Sequence, residues 1–406
     1  MGRSAIEEYA TAVRLRYVKA TKGEKAVILK EFCKTTGFHR KSAIRLLRRA
    51  PKPHVEHRGR PKTYGREVAD ALLVAWRAAD FACSKRLAPF LPELVPILER
   101  HGEIQCSASA RQQLATLSAS TIDRLLQPVR LWKLRHPFTT VRSPTVMKGQ
   151  VPIRTFGEWQ GVSVGHLQAD LVALCGVSTF GFYLTTLVGI DVATGWTECL
   201  AVWGKGQSRV GGAMDSIRRG LPFPLLGLHS DNGGEFLNYP LLKYCRQHNT
   251  EFTRGGPYKK NDQAYVEQRN WQVARRLVGY DRYATRDAYE QLNEIYWRLR
   301  VYSNFFQPIS KLISKERMGA KVRKRYDEAK TPYQRLQEAR VLDEATQQTL
   351  AQLYQRANPM RLLSEMRELV QDLKHMAILD PMTKEILSRK SRVLEAEQPR
   401  QTKTAG

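Results

Sequence analysis

The sequence predicts a multidomain protein. All-α modules lead, a central α/β mixed sheet of order βββαβαβα follows, and an α-helical carboxyl-terminal region ends the chain. Three observations predict it. Basic segments with helical apolar spacing fill the first 130 residues. Three consecutive strand-like runs then give way to alternating helices and strands from about residue 157. Helical spacing returns beyond residue 285.

In chain order, residues 1–62 hold 17 Lys/Arg against 5 Asp/Glu, so +12 of the net +27 lies in this segment. Ile6, Tyr9, Ala10, Val13 and Tyr17 recur at helical spacing. In residues 24–49 one stripe runs through Ala26, Ile28, Leu29 and Phe32, Gly37 breaks it, and Ala43, Ile44 and Leu47 begin a second. That is the pattern of a helix-turn-helix. Its second helix exposes His39, Arg40, Lys41, Arg45 and Arg48, which suit phosphate contacts and base edges. A solvated basic helix on a small bundle is the blander alternative. Residues 50–65 are rich in Pro, Gly and base and read as a linker. Within it, Arg58-Gly59-Arg60-Pro61-Lys62 resembles an AT-hook core, in which Arg58 and Arg60 would enter a minor groove; a plain basic linker is an equal reading.

Residues 66–130 read as a second helical, helix-turn-helix-like domain. Residues 131–156, with three prolines, read as an extended basic linker. The core spans 157–290. VGHLQADLVAL, FGFYLTTLVGIDVATGW and TECLAVWG read as three strands, with a hairpin turn in DVATGW. Then come a helix (QSRVGGAMDSIRRGL), a strand (PLLGLHSD), a helix (YPLLKYCRQHN), a strand (TEFTR) and a long helix from near Asp262. Residues 291–406 are expected to be helical with a disordered tail, and MGAKVRKRYDEAK stands out there as basic.

The charge of +27 at a pI near 10 points to a polyanionic partner, above all nucleic acid. A membrane surface is disfavoured, because no amphipathic, aromatic-rich terminal helix is evident. No run of about 18 uncharged apolar residues exists, so no membrane span is expected. The first 30 residues show no secretory signal core. The six cysteines are scattered without metal-binding spacing. A cytoplasmic, nucleoid-associated protein is the expectation.

Three carboxylates fall at telling places. Asp170 interrupts an apolar strand, Asp231 ends another, and Glu267 follows after 35 intervening residues in the long helix. A carboxylate in an apolar strand is costly unless it is paired or bound to a cation. Asp-Asn-Gly is also ordinary turn chemistry, so Asp231 alone decides nothing. Asp191 and Thr194 read as turn residues, and Asp262 as a helix cap. Trp271 and Arg275 lie at i+4 and i+8 from Glu267, where they would address a DNA strand.

Asp170, Asp231 and Glu267, with HSDNGGEF and the 35-residue spacing, resemble the D,D(35)E core of retroviral integrases and bacterial insertion-sequence transposases. The resemblance covers roughly residues 157–290, and the βββαβαβα order is similar to that family's RNase H-like fold. It implies a transposase that cleaves 3′ ends of double-stranded DNA and transfers them to a target. It implies two Mg²⁺ (or Mn²⁺) ions, with Asp170 bridging both, Asp231 completing one site and Glu267 the other. Residues 254–263 match the stretch before the catalytic helix, where Lys259 and Lys260 would meet phosphates. Joining two ends implies a homo-oligomer, dimer or higher, in a bacterial setting. An RNase H-type nuclease, or a non-catalytic DNA-binding regulator derived from a transposase, are the alternatives.

Overall fold

The computed structural model describes residues 2–48, 63–130, 161–231, 233–255, 266, 269–270, 275–318 and 321–378. The chain divides into two compact units, Met1–Thr63 and Tyr64–Gly406.

The first unit holds α1 (Arg3–Lys19), α2 (Lys22–Thr36) and α3 (Arg40–Arg48). The Glu24 carboxylate accepts the Thr21 N–H at 2.7 Å, satisfying a donor that an α-helix leaves free at the start of α2. Gly37 ends α2 at φ +73°, and its N–H donates to Cys33 O at 2.9 Å. Only glycine takes that left-handed turn without strain, which frees α3 to turn back. Ile28, Leu29 and Phe32 of α2 close on Ala43 and Leu47 of α3 and on Ala10, Val13 and Tyr17 of α1. These are the stripes seen in the sequence, except that Ala26 lies exposed outside the core.

The second unit opens with α4 (Arg66–Ala78), α5 (Ser84–Arg100), α6 (Ala108–Ala115) and α7 (Ala119–Arg130). Helix α5 contains Pro89, Pro92 and Pro96. An interior proline costs about 3 kcal/mol by removing one hydrogen bond and crowding the preceding turn. All three avoid the face that buries Leu87, Leu91, Leu94 and Leu98, so the interrupted bonds lie toward water.

The central sheet contains β1 (His166–Ala173), β2 (Thr185–Asp191), β3 (Thr197–Val202), β4 (Gly227–Ser230) and β5 (Glu251–Arg254). Its order is β3-β2-β1-β4-β5. Strands β1, β2 and β3 run antiparallel to their neighbours, whereas β1, β4 and β5 run parallel. Helices α8 (Gln207–Gly220) and α9 (Tyr239–Gln247) supply the crossovers that parallel strands require. This is the strand order of an RNase H-like sheet, and the expected βββαβαβ sequence of elements is present. Every residue of β2 is buried, because helices cover both faces.

Helix α10 (Arg286–Phe306) protects the β3 edge. Asn304 accepts Thr197 N–H at 2.8 Å and donates to Thr197 O at 2.9 Å, and Asn293 accepts Ala201 N–H at 3.0 Å. Side-chain amides thus satisfy edge groups that an extra strand would otherwise take. Beneath them, Glu198 is buried against Arg300 at 2.7 Å and Trp196 Nε1 at 2.8 Å.

Residues 66–130 share one hydrophobic core with the sheet and with α11 (Pro332–Ala339), α12 (Glu344–Arg356) and α13 (Pro359–His375). Tyr302 donates to Ala78 O at 2.8 Å, Arg276 pairs with Asp80 at 2.7 Å, and Asn358 donates to Glu103 at 2.7 Å. The region beyond residue 291 is helical with one addition that helical spacing did not anticipate. Leu312–Met318 (β6) and Lys321–Tyr326 (β7) pair as an antiparallel hairpin. Expected linkers at 50–62 and 131–156 and the tail beyond 378 lie outside the described residues.

Candidate active site

Strand β1 exposes two different faces. Leu167 and Ala169 enter the main core, while Val172 packs on Val188, Ile190 and Val266 on the other side. By strand alternation Asp170 shares the Val172 face. The parallel register of β1 and β4 ends at Ala169↔Ser230, so the next position on each strand is Asp170 and Asp231. Neighbouring strands lie about 4.8 Å apart, so continuing that register brings Asp170 of β1 and Asp231, just past β4, to neighbouring backbone positions.

Both carboxylates are half-buried and held by short bonds. Asp170 accepts the Leu171 N–H at 2.7 Å and the Asn270 amide at 2.5 Å. Asp231 accepts the Gly233 N–H at 2.8 Å, so it also makes the turn that Asp-Asn-Gly foretold. Burial pushes the Asp231 carboxyl above its ordinary range; the Gly233 N–H pulls it back, and the Glu235 charge adds to the rise. A Cβ on Gly233 would meet the Glu235 carboxylate at 2.7–2.8 Å. Glycine there leaves room for Glu235 to fold back toward Asp231.

Val266, Arg269 and Asn270 are helical and lie across this face. Val266 is fully buried, and its N–H donates to Gln168 Oε1 at 3.3 Å. Four residues on, Asn270 reaches Asp170. Glu267 itself lies outside the described residues, as do Trp271, Lys259, Lys260, Arg58 and Arg60. Arg275 is half-buried, with its guanidinium 4.8 Å from the centre of the Tyr280 ring. His39, Arg40, Lys41, Arg45 and Arg48 are all exposed, on α3 or just before it. Asp191 is a buried turn residue: it accepts the Gly165 N–H at 2.8 Å and both Thr194 N–H and Oγ1–H at 2.7 and 2.6 Å.

Sequence reasoning missed Asn270 and Gln168, and expected Glu235 to be carried away from Asp231 into the following segment. Asn270 carried a signal, since it falls three positions after Glu267, where helical neighbours share a face. Gln168 is two positions before Asp170 on the same strand face. Nothing in the sequence showed that Glu235 folds back.

The donor set suits a hard divalent cation. Both side chains are half-buried carboxylates, the oxygen donors that such an ion prefers. Among the described residues no three His, Cys, Asp or Glu side chains form a complete metal cluster.

The strand order β3-β2-β1-β4-β5 with its interleaved helices gives the core an RNase H-like fold. Three solved structures are similar over part of the chain. The BIV integrase catalytic core is 20% identical, with 43% of this chain and 95% of that chain covered at a TM-score of 0.28. The HTLV-2 integrase catalytic core domain in complex with magnesium is 18% identical, with 29% and 73% covered at 0.24. A chain of the simian T-cell lymphotropic virus intasome in complex with PP2A regulatory subunit B56 gamma is 16% identical, with 45% and 59% covered at 0.25. The fold assignment rests on strand order and register rather than on these overlaps. No family model matches the sequence. The uncharacterized protein y4rM of Sinorhizobium fredii is 42% identical over 319 residues, which is 79% of this chain and 91% of y4rM. The chain belongs to the same family as y4rM. No helix among the described residues is long and apolar enough to cross a membrane.

Proposed function

We propose that this chain is a DDE-type transposase that cleaves the 3′ ends of a mobile element and joins them to target DNA. One observation supports the reading: the parallel β1–β4 register of an RNase H-like sheet runs to Ala169↔Ser230, one residue before Asp170 and Asp231. Asp170, Asp231 and Glu267 would hold Mg²⁺ or Mn²⁺. Two such ions, when bound, activate an attacking oxygen and stabilise a leaving one on a phosphodiester. The chain's own part is to hold and aim the ligands. Asn270 keeps one Asp170 oxygen turned toward the crossing helical segment. The Gly233 N–H fixes the Asp231 rotamer, and Gly233 keeps the turn narrow.

The remaining parts fit the same task. The exposed cations of α3 would read the element ends, and the +27 charge would draw duplex DNA. Two ends must be joined, so the working form is a homo-oligomer on DNA. Purified protein with labelled candidate ends and Mg²⁺ tests this reading. Asp170→Asn, Asp231→Asn and Glu267→Gln should each lower cleavage more than about 100-fold, the loss typical of disturbing even outer-shell groups of a metal site. DNA affinity should stay at the wild-type value. Wild-type cleavage by any of the three would remove that residue from the site.

A further inference from the structure

Among the described residues the β6–β7 hairpin belongs to no larger sheet. Its fifteen residues, 312–326, contain six Lys/Arg and one acid, Glu316. Its strands pair from Leu312↔Tyr326 to Met318↔Lys321, with a bulge between Leu312 and Ser314.

The root of the hairpin is firmly held. Asp327 N–H donates to Lys311 O at 2.9 Å, and Lys311 N–H donates to the Asp327 carboxylate at 2.5 Å. Asp327 also pairs with Arg335 at 2.7 Å, and Lys311 Nζ donates to Ala193 O at 2.7 Å. One step lower, Ile309 and Lys330 exchange two backbone bonds of 2.9 and 3.1 Å. The Ile309 side chain fills the space where a Cβ on Gly195 would lie, 2.1 Å away, and Gly195 adopts φ +78°. The core keeps a glycine there to seat the root.

Past the root the ribbon stands in solvent. Val322, Arg323, Lys324, Arg325 and Tyr326 are all exposed, and Ile313 and Met318 are 61% and 69% exposed. A lone two-stranded hairpin is marginal in water, and open strand edges invite a partner. The charge selects that partner. A second copy would set five net positive charges against five, whereas a polyanion meets them with opposite sign. The register puts Arg323 and Arg325 on one face and Lys324 on the other. Cations on both faces suit the two phosphate walls of a groove, and a two-stranded ribbon fits the major groove of duplex DNA.

We infer that the β6–β7 ribbon is a second DNA-contacting arm, which holds duplex DNA by its phosphate walls away from the scissile bond. The Ala193–Gly195 turn follows Asp191, which opposes Leu167, three residues before Asp170. The root is therefore about 10 Å or more from Asp170 along the strand direction. The arm grips; it does not cut. The inference rests on the transposase reading for its purpose, but binding tests it separately from catalysis.

The test compares the full chain with Arg323→Ala/Lys324→Ala/Arg325→Ala by fluorescence anisotropy on duplex DNA across a salt series. The variant should lose at least about tenfold in affinity, and its slope of log K against log salt should be shallower by roughly 2–3, about 0.9 per lost phosphate contact. Its melting temperature and its cleavage rate at saturating DNA should match wild type. Arg323→Lys/Arg325→Lys, which keeps the charge, should restore the slope. Unchanged affinity and slope in the triple variant would overturn the arm. So would a changed oligomeric state with unchanged DNA affinity, which would make the ribbon a protein contact. A wild type that binds through the ribbon but never cuts would sink the catalytic reading and leave the arm standing.

Discussion

At Asp231 one side chain closes a turn with the Gly233 N–H, one position past the Ala169↔Ser230 pair of the sheet. Its raised carboxyl makes a signed prediction. A carboxyl whose folded-state pKa exceeds its unfolded value binds its proton more tightly when folded. The stability it contributes is present at low pH and is lost as pH rises from the ordinary carboxylate range through the raised value. Asp231→Asn, which keeps an oxygen for the Gly233 N–H, should therefore melt above wild type in chelator at neutral pH. The gap should close below about pH 4, where the wild-type carboxyl is protonated. Thermal scans across pH check this, and a variant that melts lower at neutral pH contradicts it. Asn270 gives a second prediction. Asn270→Ala frees Asp170 to rotate, and should lower single-turnover cleavage about 10–100-fold with DNA affinity unchanged. The aspartates were legible because carboxylates in apolar strand contexts demand a reason. Asn270 was not, because an amide is ordinary on a helix until its partner across 100 residues is known.

At the scale of elements, the strands were legible where apolar runs met turn chemistry. β2 is continuous in apolar or β-branched residues around Gly189, and Gly195 turns the chain into β3. The β6–β7 ribbon was not legible, since neither face shows the apolar alternation of a half-buried strand. It was visible only as a run of base. Its seat is open to a test at Gly195. Gly195→Ala would add a methyl group onto Ile309 and force a left-handed backbone on alanine. It should destabilise the protein by about 1–3 kcal/mol in denaturant titration, the range for such strained backbone positions. A neutral result would show that the root is not fixed as described.

On the scale of the whole molecule, sequence spacing read residues 66–130 as a helical domain but did not find its companions. Tyr302, Arg276 and Asn358 bond to that segment across intervals of more than 190 residues, which no local pattern records. The shared core predicts that a chain starting at Tyr64 melts in one cooperative transition. It should keep metal-dependent nicking of DNA but lose preference for element ends, because the α3 cations are gone. Two separated transitions would show that residues 66–130 fold apart from the sheet.

We propose that Asp170 and Asp231 make this chain a DNA strand-transfer enzyme. The most direct measurement is a joining assay with a labelled element end, a supercoiled target plasmid and Mg²⁺, resolved on a denaturing gel. Wild type should yield label joined covalently to plasmid, while Asp231→Asn binds the end equally well and joins none. Full joining by Asp231→Asn would contradict the account.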